Sequence, residues 1–163
     1  MSIKSTQSIS DNETRSFTPH VTVATVIERD GRFLMVEEYS SNGRAVINQP
    51  AGHLEADETL VEAAVRETLE ETRWNIEITA LLNMNLYLSP NNGITYHRTT
   101  FIGTAINEDL NSKLDDGIIQ AIWLTPEQIE ARQEQHRSPI VSKAIQQYFN
   151  DPHYPLAMIS DYR

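Results

Sequence analysis

The chain has 163 residues, enough for one domain with a proper core, about two-thirds of the unfolded surface being buried at this size. It carries 13 Lys plus Arg against 23 Asp plus Glu, a formal charge of −10, which argues against a duplex-binding protein. It has no cysteine, so disulfides, thiolate zinc sites and Cys nucleophiles are excluded.

Residues 1–17 are rich in Ser, Thr and Asn with almost no apolar anchors and read as a mobile leader, residues 18–163 as the folded domain. No apolar h-region follows the lone early Lys, and no apolar run reaches the ~20 residues of a membrane span. A cytoplasmic protein is expected, a monomer or small homo-oligomer, with no nucleic-acid or membrane partner.

From Thr18 the pattern is β. Val21 to Glu28 and Arg32 to Glu38 are apolar-rich runs joined by Asp30-Gly31, a two-residue hairpin signal. Asn42-Gly43 marks a turn before a strand at Ala45 to Asn48, and Pro50-Ala51-Gly52 ends the sheet pattern. A helix is expected over Glu58 to Thr72, N-capped by Asp57, with Leu60, Val61, Ala64, Val65, Thr68 and Leu69 as its buried stripe. Strands follow at Ile76 to Leu88 and Ile94 to Ile106, then at Ile118 to Leu124. Thr125-Pro126 starts a helix through Arg132, and Ser138-Pro139 one through Phe149. Trp123, Tyr87 and Leu86 read as core.

The first helix carries five Glu, at 58, 62, 67, 70 and 71. At about 100° per residue, Glu67, Glu70 and Glu71 project from one narrow arc. Like charges at i,i+3 and i,i+4 repel, and Glu70 and Glu71 face the negative end of the helix dipole. Only Arg66 is near enough along the helix to offset this, through Glu62 or Glu70. Such a cluster makes sense if a cation completes it. Carboxylates without Cys or a spaced His pair select a hard metal, Mg²⁺ or Mn²⁺.

From Gly52 the chain reads GHLEADETLVEAAVRETLEETRW, which resembles the Nudix box. Gly52, Glu58, Arg66, Glu67, Glu70 and Glu71 match its fixed letters. Six such matches arise by chance about once in 10⁷ start positions at ordinary usage of ~6–7% per residue type. Arg73 stands where the family has Gly, the usual left-handed helix terminator, so Asn75 is the expected positive-φ residue instead. Thr68 replaces an apolar residue. Around the box, Pro19-His20-Val21-Thr22-Val23, Asn48-Gln49-Pro50-Ala51-Gly52-His53-Leu54-Glu55, Ser138-Pro139 and Tyr154-Pro155-Leu156 with Met158-Ile159 are similar to the bacterial NudJ phosphatase subgroup.

The resemblance implies an α/β fold, the Nudix α/β/α sandwich with a central mixed sheet. It also implies a Mg²⁺-dependent phosphohydrolase releasing phosphate from nucleoside tri- and diphosphates or hydroxymethylpyrimidine pyrophosphate. Dinucleoside polyphosphates or ADP-ribose are alternative substrates, and a non-catalytic nucleotide-sensing module is a competing class. Glu67 and Glu71 are the expected metal ligands, with Glu70 a third ligand or the base. The backbone carbonyl of Ala51 is a further implied ligand, and Arg66 steers the cluster. Glu58 is either accessory at the helix start or a plain favourable charge there. Asp115 and Asp116 are either base and extra ligand or an ordinary turn. For substrate binding the candidates are Arg98, His53 and Gln49; a surface ion pair competes for Arg98 and a structural hydrogen bond for His53.

Overall fold

The computed structural model describes residues 17–162. The leader assigned to residues 1–17 therefore lies almost wholly outside the described residues. Among the described residues seven strands are seen: β1 (His20–Arg29), β2 (Arg32–Tyr39), β3 (Ala45–Asn48), β4 (Ala51–His53), β5 (Trp74–Leu88), β6 (Thr95–Glu108) and β7 (Ile118–Leu124). The α-helices are α1 (Leu60–Thr72), α2 (Pro126–Glu130) and α3 (Ile140–Asn150). One path through the sheet runs β3-β2-β1-β6-β5, with β4 paired to β1 and β7 to β2. β1 and β6 run parallel and the remaining pairs are antiparallel, so the sheet is mixed, as expected.

Strand alternation divides the core in two. On β1 and β6, Val23, Ile27 and Phe101 face α1, where they pack with Ala63 and Ala64. Val26 and Ile102 point the other way and pack with Val141, Ala144 and Ile145 of α3. A sheet with apolar residues on both faces needs a helix on each side, which yields the sandwich.

β1 changes partners along its length. Thr22 to Ala24 pair with β4, whereas Glu28 and Arg29 pair with β2 across the Asp30-Gly31 turn. β4 differs from expectation: Pro50 and Gly52 interrupt the pattern, yet Ala51 to His53 form a short antiparallel strand. That strand brings the loop before α1 onto the sheet.

The start of α1 also differs from expectation. The N-cap is Thr59, not Asp57; its hydroxyl accepts from Glu62 N–H at 3.0 Å and Glu62 Oε2 accepts from Thr59 N–H at 2.7 Å. This is a capping box. Asp57 sits two residues upstream at φ 64°, and Glu58 precedes the helix. At the other end Arg73 itself takes the left-handed conformation, φ 64°, and its N–H reaches Leu69 O. Asn75 lies in β5 instead. The αL position costs an L-residue about 1–2 kcal/mol, and Arg73 offsets part of it by an ion pair with Glu108 at 2.8 Å.

The helix expected through Arg132 stops at Glu130 and continues as a 3₁₀ turn at Gln133–Gln135. Leu86 is not core: it is 66% exposed on β5. Trp123 is half-buried, edge-on to Trp74, and the Arg29 guanidinium lies 4.4 Å from both ring centres. No helix among the described residues is long and apolar enough to cross a membrane.

Candidate active site

A cavity of about 660 Å³ opens at the polar end of the sheet. Its floor is the continuation of the α3-facing side. His20 and Thr22 on β1 register with Tyr96 and Arg98 on β6, and Arg98 with Asn85 on β5. The same face that carries Val26 and Ile102 under α3 therefore turns polar beyond that helix.

α1 delivers the carboxylates. Glu67 and Glu71 both line the cavity. Gly52 on β4 makes the approach of Glu67 possible: a Cβ there would overlap the Glu67 carboxylate. Any side chain at 52 would displace that carboxylate. Glu71 is buried, and its Oε2 accepts from Ala51 N–H at 2.8 Å. Ala51 is thus seen holding Glu71 through its amide.

Arg66 spends all five of its N–H donors on this network. Nε and Nη2 grip Glu58 at 2.9 and 2.7 Å, and Nη1 serves Glu67 at 2.8 Å and Glu70 at 3.0 Å. The remaining bond goes to His53 O at 3.0 Å. Glu58 is therefore an anchor for Arg66, its carboxyl held below the usual range by that hydrogen bond. Glu62 is occupied by the capping box. Glu70 is drawn to Arg66 and does not line the cavity.

The two cavity carboxylates are electrostatically uncomfortable. Burial pushes Glu71 up to about 8, against the Ala51 N–H, with Glu38 and Glu67 adding repulsion. Burial also raises Glu67 despite its bond to Arg66, and Glu70 and Asp115 push the same way. Among the described residues, no three His, Asp or Glu side chains converge as a ready-made metal cage. What the structure offers is a pair, Glu67 and Glu71, disfavoured as anions where they stand.

Arg98 lies opposite. It is buried, not a surface ion pair; Nη2 donates to Gln49 Oε1 at 3.1 Å and Nε has no partner. Burial lowers its pKa to about 10, with Glu71 pulling it back up. Gln49 is buried too, and its amide donates to Val141 O of α3 at 2.9 Å. It holds Arg98 and is not part of the cavity wall. His53 does line the cavity; its Nε2 is 3.2 Å from His20 Nδ1, and burial lowers its pKa. Asp115 and Asp116 are exposed and lie outside the cavity walls; Asp115 N–H donates to Glu70 O at 3.0 Å.

Sequence reasoning missed Glu38 on β2 and Arg137 before α3. Both line the cavity, and they pair with each other at 2.7 Å. It also missed Tyr96, edge-on to His20 with ring centres 5.7 Å apart. No local motif marks these residues, because distant strands bring them together.

A NUDIX domain family model matches residues 17–144. The chain belongs to the Nudix family. Its relatives include Phosphatase NudJ of Shigella boydii serotype 4 and of Escherichia coli K12, each 40% identical over 151 residues, 90% of this chain and 94% of theirs. Among solved structures, a NUDIX hydrolase from Nitrosomonas europaea superposes with a TM-score of 0.87 at 41% identity, covering 89% of this chain and 98% of that one. The Arg66 network and the close approach of Gly52 to Glu67 thus lie within the Nudix domain, and the chain is a Nudix phosphohydrolase acting on phosphoanhydride bonds.

Proposed function

We propose that this Nudix enzyme is a Mg²⁺-dependent phosphatase of nucleoside tri- and diphosphates, with hydroxymethylpyrimidine pyrophosphate as a further substrate. The observation that carries the metal is Glu71: a buried carboxylate beside Glu67, in the last turn of α1, where the helix dipole disfavours its charge. Glu67 and Glu71 would hold the cation, with Gly52 leaving room for the first and Ala51 N–H fixing the second. A divalent ion held there would neutralise charge on a phosphoryl oxygen and polarise its phosphorus.

The chain's own groups supply the rest. Arg66 fixes the rotamers of Glu67 and Glu70, so the carboxylates need no reorganisation when substrate arrives. Arg98, aimed by Gln49, lines the cavity and serves as a phosphate anchor. A buried guanidinium stays charged well above neutral pH, so this anchor does not titrate in the working range. Tyr96, Tyr87 and His53, with His20 edge-on to Tyr96 and His53, form the end of the site that would receive the organic group.

The test is phosphate release from ADP, ATP and hydroxymethylpyrimidine pyrophosphate, with Mg²⁺ or with EDTA. Metal-dependent release that disappears in Glu71→Gln is the expected result. Equal release by that variant at saturating Mg²⁺ would refute the assignment.

A further inference from the structure

Arg137 and Glu38 face the cavity but have no part in the chemistry described so far. Glu38 sits where the β2–β7 register shifts, between Glu37 and Glu38. Such bulges re-aim a side chain, often beside an active site. Here the carboxylate is only 14% exposed, and Oε2 accepts from Arg137 Nη1 at 2.7 Å.

Arg137 is fixed at its root, and at its tip it is half-exposed and held only by Glu38. Its N–H donates to Ile47 O at 3.0 Å, and His136 bridges to the same residue of β3, so the backbone is docked on the sheet. The side chain is 48% exposed. Its charge is felt by Glu71, Arg98 and His53, groups spread across the cavity. Arg98 is the opposite kind of cation, buried and clamped by Gln49.

We infer that Arg137 is a second phosphate clamp, parked on Glu38 until a substrate bearing two or more adjacent phosphoryl groups arrives. This rests on the phosphoanhydride reading above. A phosphoryl group beside Glu67, Glu71 and Arg98 lies deep in the cavity; the next one along the chain of the substrate lies toward the rim, within reach of Arg137. An ion pair with a half-exposed arginine is weak, and a phosphoryl group offers the same guanidinium a more highly charged, bidentate partner. Arg137 therefore exchanges Glu38 for the substrate. A monophosphate cannot engage both arginines, so the pair selects for diphosphates and longer.

Arg137 and Glu38 then have opposite signatures, which a purely structural ion pair would not. Binding of the non-hydrolysable α,β-methylene ADP and of AMP is measured by calorimetry in Mg²⁺ on the full chain. Arg137→Ala is expected to weaken the diphosphate analogue about tenfold and AMP less than about twofold. Glu38→Gln releases the arginine and is expected to tighten the analogue about two- to fivefold. Arg137→Lys recovers only part of the loss, because the ammonium lacks the fork. Equal weakening of both ligands by Arg137→Ala, or weakening of the analogue by Glu38→Gln, would overturn the clamp. Wild-type hydrolysis is assayed in parallel: cleavage of ADP with unaltered Arg137→Ala binding sinks the clamp alone, whereas no cleavage of any phosphoanhydride sinks the reading beneath it.

Discussion

The two ends of α1 are built on opposite principles. At the N-terminus, Thr59 and Glu62 satisfy each other's backbone N–H groups, and the Glu62 charge suits the positive end of the dipole. At the C-terminus there is no basic residue in the last turn, two glutamates face the negative end, and the left-handed cap is an arginine. One end obeys every local stability rule and the other breaks three. Sites that violate stability rules are where function is expected. Of the two, Glu70 is held by Arg66, and only Glu71 faces the cavity, which is the charge that a bound ligand would explain.

Substitutions at each end separate the two principles. The largest effect is expected from Glu71→Gln, which removes a buried carboxylate oxygen from the cavity wall and lowers turnover by orders of magnitude in a phosphate-release assay. In metal-free buffer at pH 8 the same variant is expected to melt no lower than wild type, since it exchanges a poorly solvated anion for a neutral amide.

The next effect concerns pH. The carboxyl of Glu71 in the folded chain titrates near 8, above the ordinary 4.5. A group raised on folding contributes stability that is complete below its unfolded pKa and is withdrawn as pH rises through the folded value. In EDTA the wild-type melting temperature should therefore decline between about pH 5 and 8 relative to Glu71→Gln. Mg²⁺, which favours the anion, should raise the melting temperature more at pH 8 than at pH 6. A Mg²⁺-induced shift independent of pH in wild type would break the contrast between the helix ends.

Thr59→Ala tests the stability end. Loss of the cap is expected to cost about 1 kcal/mol, seen as a melting temperature lower by about 2–4 °C, with turnover unchanged. The smallest effect is expected at Arg73→Gly. Relief of the left-handed conformation and loss of the Glu108 ion pair oppose each other, so stability should stay within about 1 kcal/mol of wild type in denaturant unfolding.

These contrasts also mark what was legible in the sequence. Glu67, Glu70, Glu71 and Arg66 stand out because one helix brings them together, and helical periodicity is a local property. The strands Ala45 to Asn48 and Ile118 to Leu124 were readable for the same reason, each being an apolar run bounded by turn signals. The N-cap was misread because Asp57 and Thr59 are both good caps; Glu62, three residues after Thr59, is the signal that separates them. Leu86 was misread because alternation on an outer strand does not reveal which face finds a covering helix. β4 has Pro50 just before it and Gly52 at its centre, and only pairing with β1 makes it a strand. Arg98 and Glu38 gain meaning from the cavity. The burial of Arg98 depends on Gln49 and α3, and Glu38 is aimed by a bulge, so neither is encoded in its neighbours along the chain.

The central claim is that Glu67 and Glu71 stay together, although burial disfavours both as anions, because a divalent cation binds between them. Calorimetric titration of Mg²⁺ and Mn²⁺ into the full chain, with α,β-methylene ADP present, tests it most directly. Saturable uptake is predicted for wild type and Thr59→Ala, with uptake strongly weakened in Glu67→Gln and Glu71→Gln. No uptake by wild type, or equal uptake by all four proteins, would contradict the account.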